Sequence, residues 1–216
     1  MFASLGIELS SAERREGMLL IQEIVTSVQK MVYRHQGSVN KLVMDDKGST
    51  LICLWGLTPM CHDDDAARAI TCAYEMRKML MKIEHTWLNV GVSSGEAFTG
   101  IAGTSGSRKE FTCLGDAVNL AARVMYWPKT KGKKGTIYSD INTRNLASNH
   151  YNFIYRGHQE FKGKSVSMAL YEPIFEEAGG RHYLEDLPDN YKSEFETPEE
   201  MLKYEELISE LTYHNH

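Results

Sequence analysis

The chain has 216 residues, with 24 Lys plus Arg against 29 Asp plus Glu and a formal net charge of −5. Its 42% hydrophobic and 25% charged residues match a folded globular protein and exclude wholesale disorder, a collagen-like repeat or a continuous coiled coil. No run approaches the roughly 18 apolar residues of a membrane helix, and residues 1–7 are too short, and lack the basic leader, for a signal peptide.

Helical spacing appears first over residues 10–35, where Leu20, Ile21, Ile24, Val25, Val28, Met31 and Val32 form one stripe. Gly37 is the expected helix stop. Strand-like runs at 39–44 and 50–55 flank Asp45-Asp46-Lys47-Gly48-Ser49 and predict a hairpin. A second helix is expected over 63–81, with Ala66, Ala69, Ile70, Ala73, Met76 and Leu80 on one face. Residues 87–92 alternate, Ser93-Ser94-Gly95 can turn, and 97–101 can return, which predicts a second hairpin. After a Gly/Ser loop at 103–109 and a short strand at 110–114, Gly115 and Asp116 open a helix that Pro128 should end near Trp127. Strands at 136–139, 153–155 and 167–171 and a short helix at 140–147 complete the body. Helices interspersed with hairpins imply an α+β fold, a mostly antiparallel sheet with helices on one face. In the tail, Thr197-Pro198-Glu199-Glu200 has the form of a capping box. Met201, Tyr204, Leu207, Ile208 and Leu211 follow at helical spacing, so an acidic linker and an amphipathic helix are expected.

The net charge conceals a division. From Glu172 onward there are 13 acidic and 3 basic residues, against 16 acidic and 21 basic before it. A mildly basic body can meet phosphate but is not basic enough to mark a nucleic-acid binder. Cys53, Cys61, Cys72 and Cys113 contain no C-x-x-C pair, which fits reduced thiols in the cytosol. His62 beside Asp63, Asp64 and Asp65 could suggest a metal cluster, but carboxylates also favour the first turn of a helix.

The chemistry concentrates in Phe111-Thr112-Cys113-Leu114-Gly115-Asp116-Ala117-Val118-Asn119-Leu120-Ala121-Ala122-Arg123. A strand ends, glycine turns the chain, and a helix presents Asn119 and Arg123 four apart on one face while Leu120 and Ala121 can pack inward. An amide beside a guanidinium suits a shifting phosphate charge. This segment resembles the signature helix of the class III nucleotidyl cyclases. The resemblance extends to Asn89-Val90-Gly91-Val92-Ser93-Ser94-Gly95-Glu96-Ala97-Phe98-Thr99-Gly100-Ile101-Ala102-Gly103, to Val39-Asn40-Lys41-Leu42 with Leu54-Trp55-Gly56, and to Phe161-Lys162-Gly163-Lys164 with Leu170-Tyr171. It covers roughly residues 1–175 in order, and is nearest to the second catalytic half of soluble-type, bicarbonate-responsive adenylyl cyclase.

The resemblance implies a ferredoxin-like α+β cyclase domain over 1–175, with 176–216 as linker and helix. It implies active sites between paired halves. There the ribose 3′-hydroxyl attacks the α-phosphate of ATP, assisted by two Mg²⁺ or Mn²⁺ ions, to give 3′,5′-cyclic AMP and pyrophosphate. Lys41 and Thr112 match the base-reading pair: the ammonium donates to adenine N1 and the hydroxyl oxygen accepts from the exocyclic amine. Asn119 matches the residue that orients the ribose, and Arg123 the one that stabilises charge on the α-phosphate. Lys162 matches a contact to the terminal phosphates, with Lys164 as its rival.

One position departs. The first metal-binding Asp falls on Ser4, a poor ligand for a hard divalent cation, and Asp45 and Asp46 read as turn residues. The sequence therefore implies no metal site of its own. The ions and their carboxylates would come from a second cyclase half, in the same polypeptide or another, and a symmetric homodimer should be inactive or nearly so. Two other readings stay open: a non-catalytic cyclase homology module that binds nucleotide or a partner half, and a ferredoxin-like RNA-binding module. The last would want aromatic residues on the central strands, where Val90, Val92 and Ile101 stand instead.

Overall fold

The computed structural model describes residues 1–7, 15–45, 48–83, 86–104, 106, 108–131, 133–160 and 167–175. The strands are β1 (Phe2–Ser4), β2 (Ser38–Asp45), β3 (Gly48–Leu54), β4 (Asn89–Val92), β5 (Phe98–Gly103), β6 (Lys109–Leu114), β7 (Ile137–Ser139), β8 (Phe153–Gln159) and β9 (Met168–Pro173). The helices are α1 (Arg15–Arg34), α2 (Asp65–Leu80), α3 (Asp116–Thr130) and α4 (Ile141–Leu146). Seven strands form one sheet in the order β2-β3-β1-β4-β7-β9-β8, while β5 and β6 make a separate two-stranded sheet. Every neighbouring pair is antiparallel except β4 and β7. The expected α+β architecture is therefore present. The expected tail helix lies outside the described residues.

Both faces of the sheet are covered, not one. In α1, Ile21, Ile24, Val28 and Val32 are buried, and they join α2 residues such as Ile70, Met76 and Leu80 over Ala3, Leu51 and Val90. Ala3 pairs with Leu51 and with Val90, so these three share the face beneath α1 and α2. Phe2, Ile52 and Gly91 lie in the next register and point the other way. There α3 packs, with Leu120 and Val124 against Tyr138 and Leu170. A Cβ on Gly91 would stand 2.1 Å from the Ala121 carbonyl oxygen and 2.4 Å from the Met125 nitrogen. Only glycine lets the helix backbone approach so closely.

Three local expectations are corrected by the structure. The run at 87–92 does not fold back as a hairpin. All four residues of β4 are buried, because helices cover both sides. The chain then leaves the sheet: Ser93 Oγ donates to Asp140 Oδ2 at 2.9 Å, and Ser94 Oγ lies 2.8 Å from Thr143 Oγ1. Strand β5 finds its partner in β6 instead. Pro128 lies inside α3. It removes one amide donor, but its own carbonyl accepts from the amides of Lys131 (3.0 Å) and Lys133 (2.9 Å), which hold the last turn. At the end of α1 the left-handed residue is Gln36, with φ of 57°. The amides of Gln36 and Gly37 donate to the Tyr33 and Val32 carbonyls, both at 2.8 Å, a Schellman closure. Gly37 serves a different need: a Cβ there would sit 2.4 Å from the Trp55 ring.

The body ends on an aromatic clamp. Phe175 stacks on Tyr74 with centroids 4.2 Å apart and meets Tyr151 edge-on at 5.7 Å. The Arg77 guanidinium stands 5.0 Å from the centre of its ring.

Candidate active site

The β6–α3 junction is set by glycine. A Cβ on Gly115 would lie 2.9 Å from the Glu96 carbonyl oxygen and 3.0 Å from Ala97 Cα, so the turn closes tightly before α3 begins. Leu120 and Ala121 are buried as expected, while Asn119 is exposed and Arg123 half-buried. One helical turn apart, the amide and the guanidinium share the outward side of α3.

Thr112 lies on β6 opposite Gly100 and is half-buried. Lys41 lies on β2 opposite Ile52, on the sheet face that carries α3. Its ammonium reaches across to β6 and meets Glu110 Oε1 at 2.7 Å. Asn40, at the β2 irregularity, donates from Nδ2 to the Phe111 carbonyl at 3.3 Å. These contacts bring Lys41 to the strand that carries Thr112, and Glu110 shares a strand face with Thr112 because they are two residues apart. Arg108 Nη2 lies 3.3 Å from Glu110 Oε2. The hydrogen bond and charge of Lys41, helped by Arg108, hold the Glu110 carboxyl below its ordinary range. Glu110 is a residue the sequence reading missed. The signal available was its two-residue offset from Thr112, but its partner stands 69 positions away.

Lys162 and its rival Lys164 lie outside the described residues, as does Asp46, and nothing is described of the Asp45 side chain. Ser4 is buried on β1 between Thr50 of β3 and Asn89 of β4. A buried neutral hydroxyl does not fit a hard divalent cation. Among the described residues no group of three or more His, Cys, Asp or Glu side chains gathers to hold a metal. The acidic run at 63–65 is occupied structurally. Asp65 Oδ2 accepts from the His62 amide at 2.9 Å, and Asp64 Oδ1 accepts from Arg68 Nε at 2.6 Å.

A cavity of about 530 Å³ opens behind the junction, lined in part by Met1, Trp55, Ser93, Cys113 and Val118. Neither Lys41, Thr112, Asn119 nor Arg123 lines it. Lys41 on β2 and Asn119 on α3 are exposed, and Thr112 on β6 and Arg123 on α3 are half-buried.

This fold, with its strand–glycine–helix junction, defines a nucleotidyl cyclase domain. The adenylate and guanylate cyclase catalytic domain model matches residues 6–172, and the chain belongs to that family. Adenylate cyclase type 10 of Homo sapiens is 37% identical over 106 residues, 48% of this chain and 6% of the relative. The Mus musculus protein of the same name is 36% identical over 120 residues, 55% of this chain and 7% of the relative. The chain thus spans only a small part of these curated relatives. Among solved structures, the adenylyl cyclase CyaB from P. aeruginosa superposes with a TM-score of 0.70 at 20% identity, covering 82% of this chain and 93% of that one. The guanylate cyclase domain of RhGC from Catenaria anguillulae, in complex with GTP, gives 0.67 at 19% identity, covering 80% and 93%. At these identities the structures establish the fold.

Proposed function

We propose that this chain is the base-reading and charge-stabilising half of an adenylyl cyclase. It forms cyclic AMP and pyrophosphate from ATP when joined to a half that carries the metal carboxylates. The observation that supports the reading is the junction itself: β6, which holds Thr112 and receives Lys41, runs through Gly115 directly into α3, which carries Asn119 and Arg123 four residues apart. Lys41 suits adenine, because its ammonium only donates and adenine N1 only accepts. Asn119 would hold the ribose, and Arg123 would meet the charge that grows on the α-phosphate. Lys162 is assigned to the terminal phosphates on its sequence match alone.

Cyclase domains of this family work with divalent cations. The Ser4 position does not fit one, so the ions would be held by the partner half. The β5–β6 hairpin supports such pairing: Phe98 pairs with Leu114 on one face and Ile101 with Phe111 on the other, and all four are exposed, as large apolar side chains at an interaction surface are. We read 1–175 as the catalytic domain, 176–216 as the linker and helix leading from it, and the cytosol as its setting.

The test mixes the purified chain with a metal-bearing half of a soluble-type cyclase and offers ATP and GTP separately. Cyclic AMP from ATP in the mixture alone is the expected result. Sustained cyclic AMP from this chain by itself with Mg²⁺ or Mn²⁺ would sink the proposal. Ser4 also favours a second reading, a nucleotide-binding module without turnover. It predicts ATP binding that weakens in Lys41→Ala, with no product in the mixture.

A further inference from the structure

We propose that Glu110 is the specificity lock of the base site, the residue that keeps guanine out. The proposal rests on the adenylyl cyclase reading above. At position 6 adenine carries a donor amine and guanine an acceptor oxygen, and at position 1 adenine accepts where guanine donates. An adenine site therefore needs an acceptor facing position 6 and a donor facing position 1.

Neither expected base reader enforces this alone. The Thr112 hydroxyl can rotate to accept from an amine or to donate to a carbonyl oxygen. The Lys41 ammonium sits on a long flexible stem and could swing from N1 to O6. Glu110 removes both freedoms. Its Oε1 holds the Lys41 ammonium at 2.7 Å, fixing where the donor stands. Its carboxylate lies on the same face of β6 as Thr112, so an ionised, acceptor-only group stands beside the hydroxyl. Lys41 and Arg108 keep it ionised. With the purine oriented by its ribose and phosphates, adenine meets an acceptor at its amine. Guanine would set its O6 against the carboxylate and its N1–H against the ammonium that Glu110 holds. Like against like is an effective way to reject a near-isostere.

The experiment measures ATP and GTP dissociation constants by competition against a fluorescent nucleotide, using the full chain paired with a metal-bearing half. Glu110→Gln keeps the shape but can donate as well as accept. Its preference for ATP over GTP should fall about ten-fold, the scale of one hydrogen bond to a charged group. Thr112→Val should weaken both nucleotides alike and leave the preference in place. An unchanged preference in both Glu110→Gln and Glu110→Ala overturns the proposal, as does a larger loss of preference in Thr112→Val. If the parent binds neither nucleotide, the cyclase reading fails instead. Thermal melts check folding, which the side chain's exposed position should leave intact.

Discussion

Replacing Gly91 with alanine tests how α3 is seated. The added Cβ would lie 2.1 Å from the Ala121 carbonyl oxygen, 2.4 Å from the Met125 nitrogen and 3.0 Å from Met125 Cα. All three are backbone atoms, so no side chain can swing aside. Restoring an ordinary contact near 3.4 Å requires the helix to move off the sheet by about 1 Å. Overpacking of this kind costs about 3 kcal/mol, which for a domain of this size lowers the melting temperature by roughly 6–12 °C. The same shift carries Asn119 and Arg123 with it, and a misplacement of about 1 Å can cost on the order of 100-fold in rate. Calorimetry and cyclic AMP formation with the metal-bearing half read the two effects. Gly106 is the control, because nothing lies within 4 Å of a Cβ built there, and Gly106→Ala should change stability by less than about 0.5 kcal/mol. A Gly91→Ala protein that melts within about 1 °C of the parent and keeps its rate would refute the reasoning.

Other expectations follow from the same geometry. Asn119→Ala and Arg123→Ala in the paired enzyme should each lower kcat by roughly 100- to 1,000-fold while ATP affinity changes little. Parallel losses in rate and binding would instead assign them to ground-state contacts. Phe175→Ala removes the ring stacked on Tyr74 and should cost about 2 kcal/mol, since the ring is only half-buried; urea titration measures it. Burial pushes the Cys53 thiol up to about 12 and raises Cys72 well above its ordinary value, whereas Cys61 is exposed. Iodoacetamide at pH 8 should therefore label Cys61 in the native protein and reach Cys53 and Cys72 only after denaturation, as peptide mass mapping would show.

The elements that were legible in the sequence are those whose periodicity is set by one buried face. Helix α2 and the β2–β3 hairpin fall within two residues of expectation because Ile70, Met76 and Leu80, and the polar turn after Met44, mark them locally. Strand β4 misled because its burial is two-sided, and its onward path depends on Asp140 and Thr143, some 47 to 49 residues away. Pro128 misled because the bonds that rescue the last turn arrive from Lys131 and Lys133 beyond it. At the candidate site, Asn119, Arg123, Lys41 and Thr112 are assigned on motif order, and the structure brings Lys41 to the strand that carries Thr112. The Lys41–Glu110 contact was not legible, because it joins two strands that have no pairing pattern in common.

The central position of β1 bears on how the chain acquires its structure. Phe2 pairs with Ile52 on one side and Gly91 on the other, so the strand made early is completed late. At about 5–20 residues per second, several seconds of synthesis separate Phe2 from its second neighbour. Throughout that interval a short apolar strand keeps at least one edge open. Such an edge is a template for the wrong partner, so folding yield should depend more on what shields residues 2–4 in the nascent chain than on the strength of any finished contact.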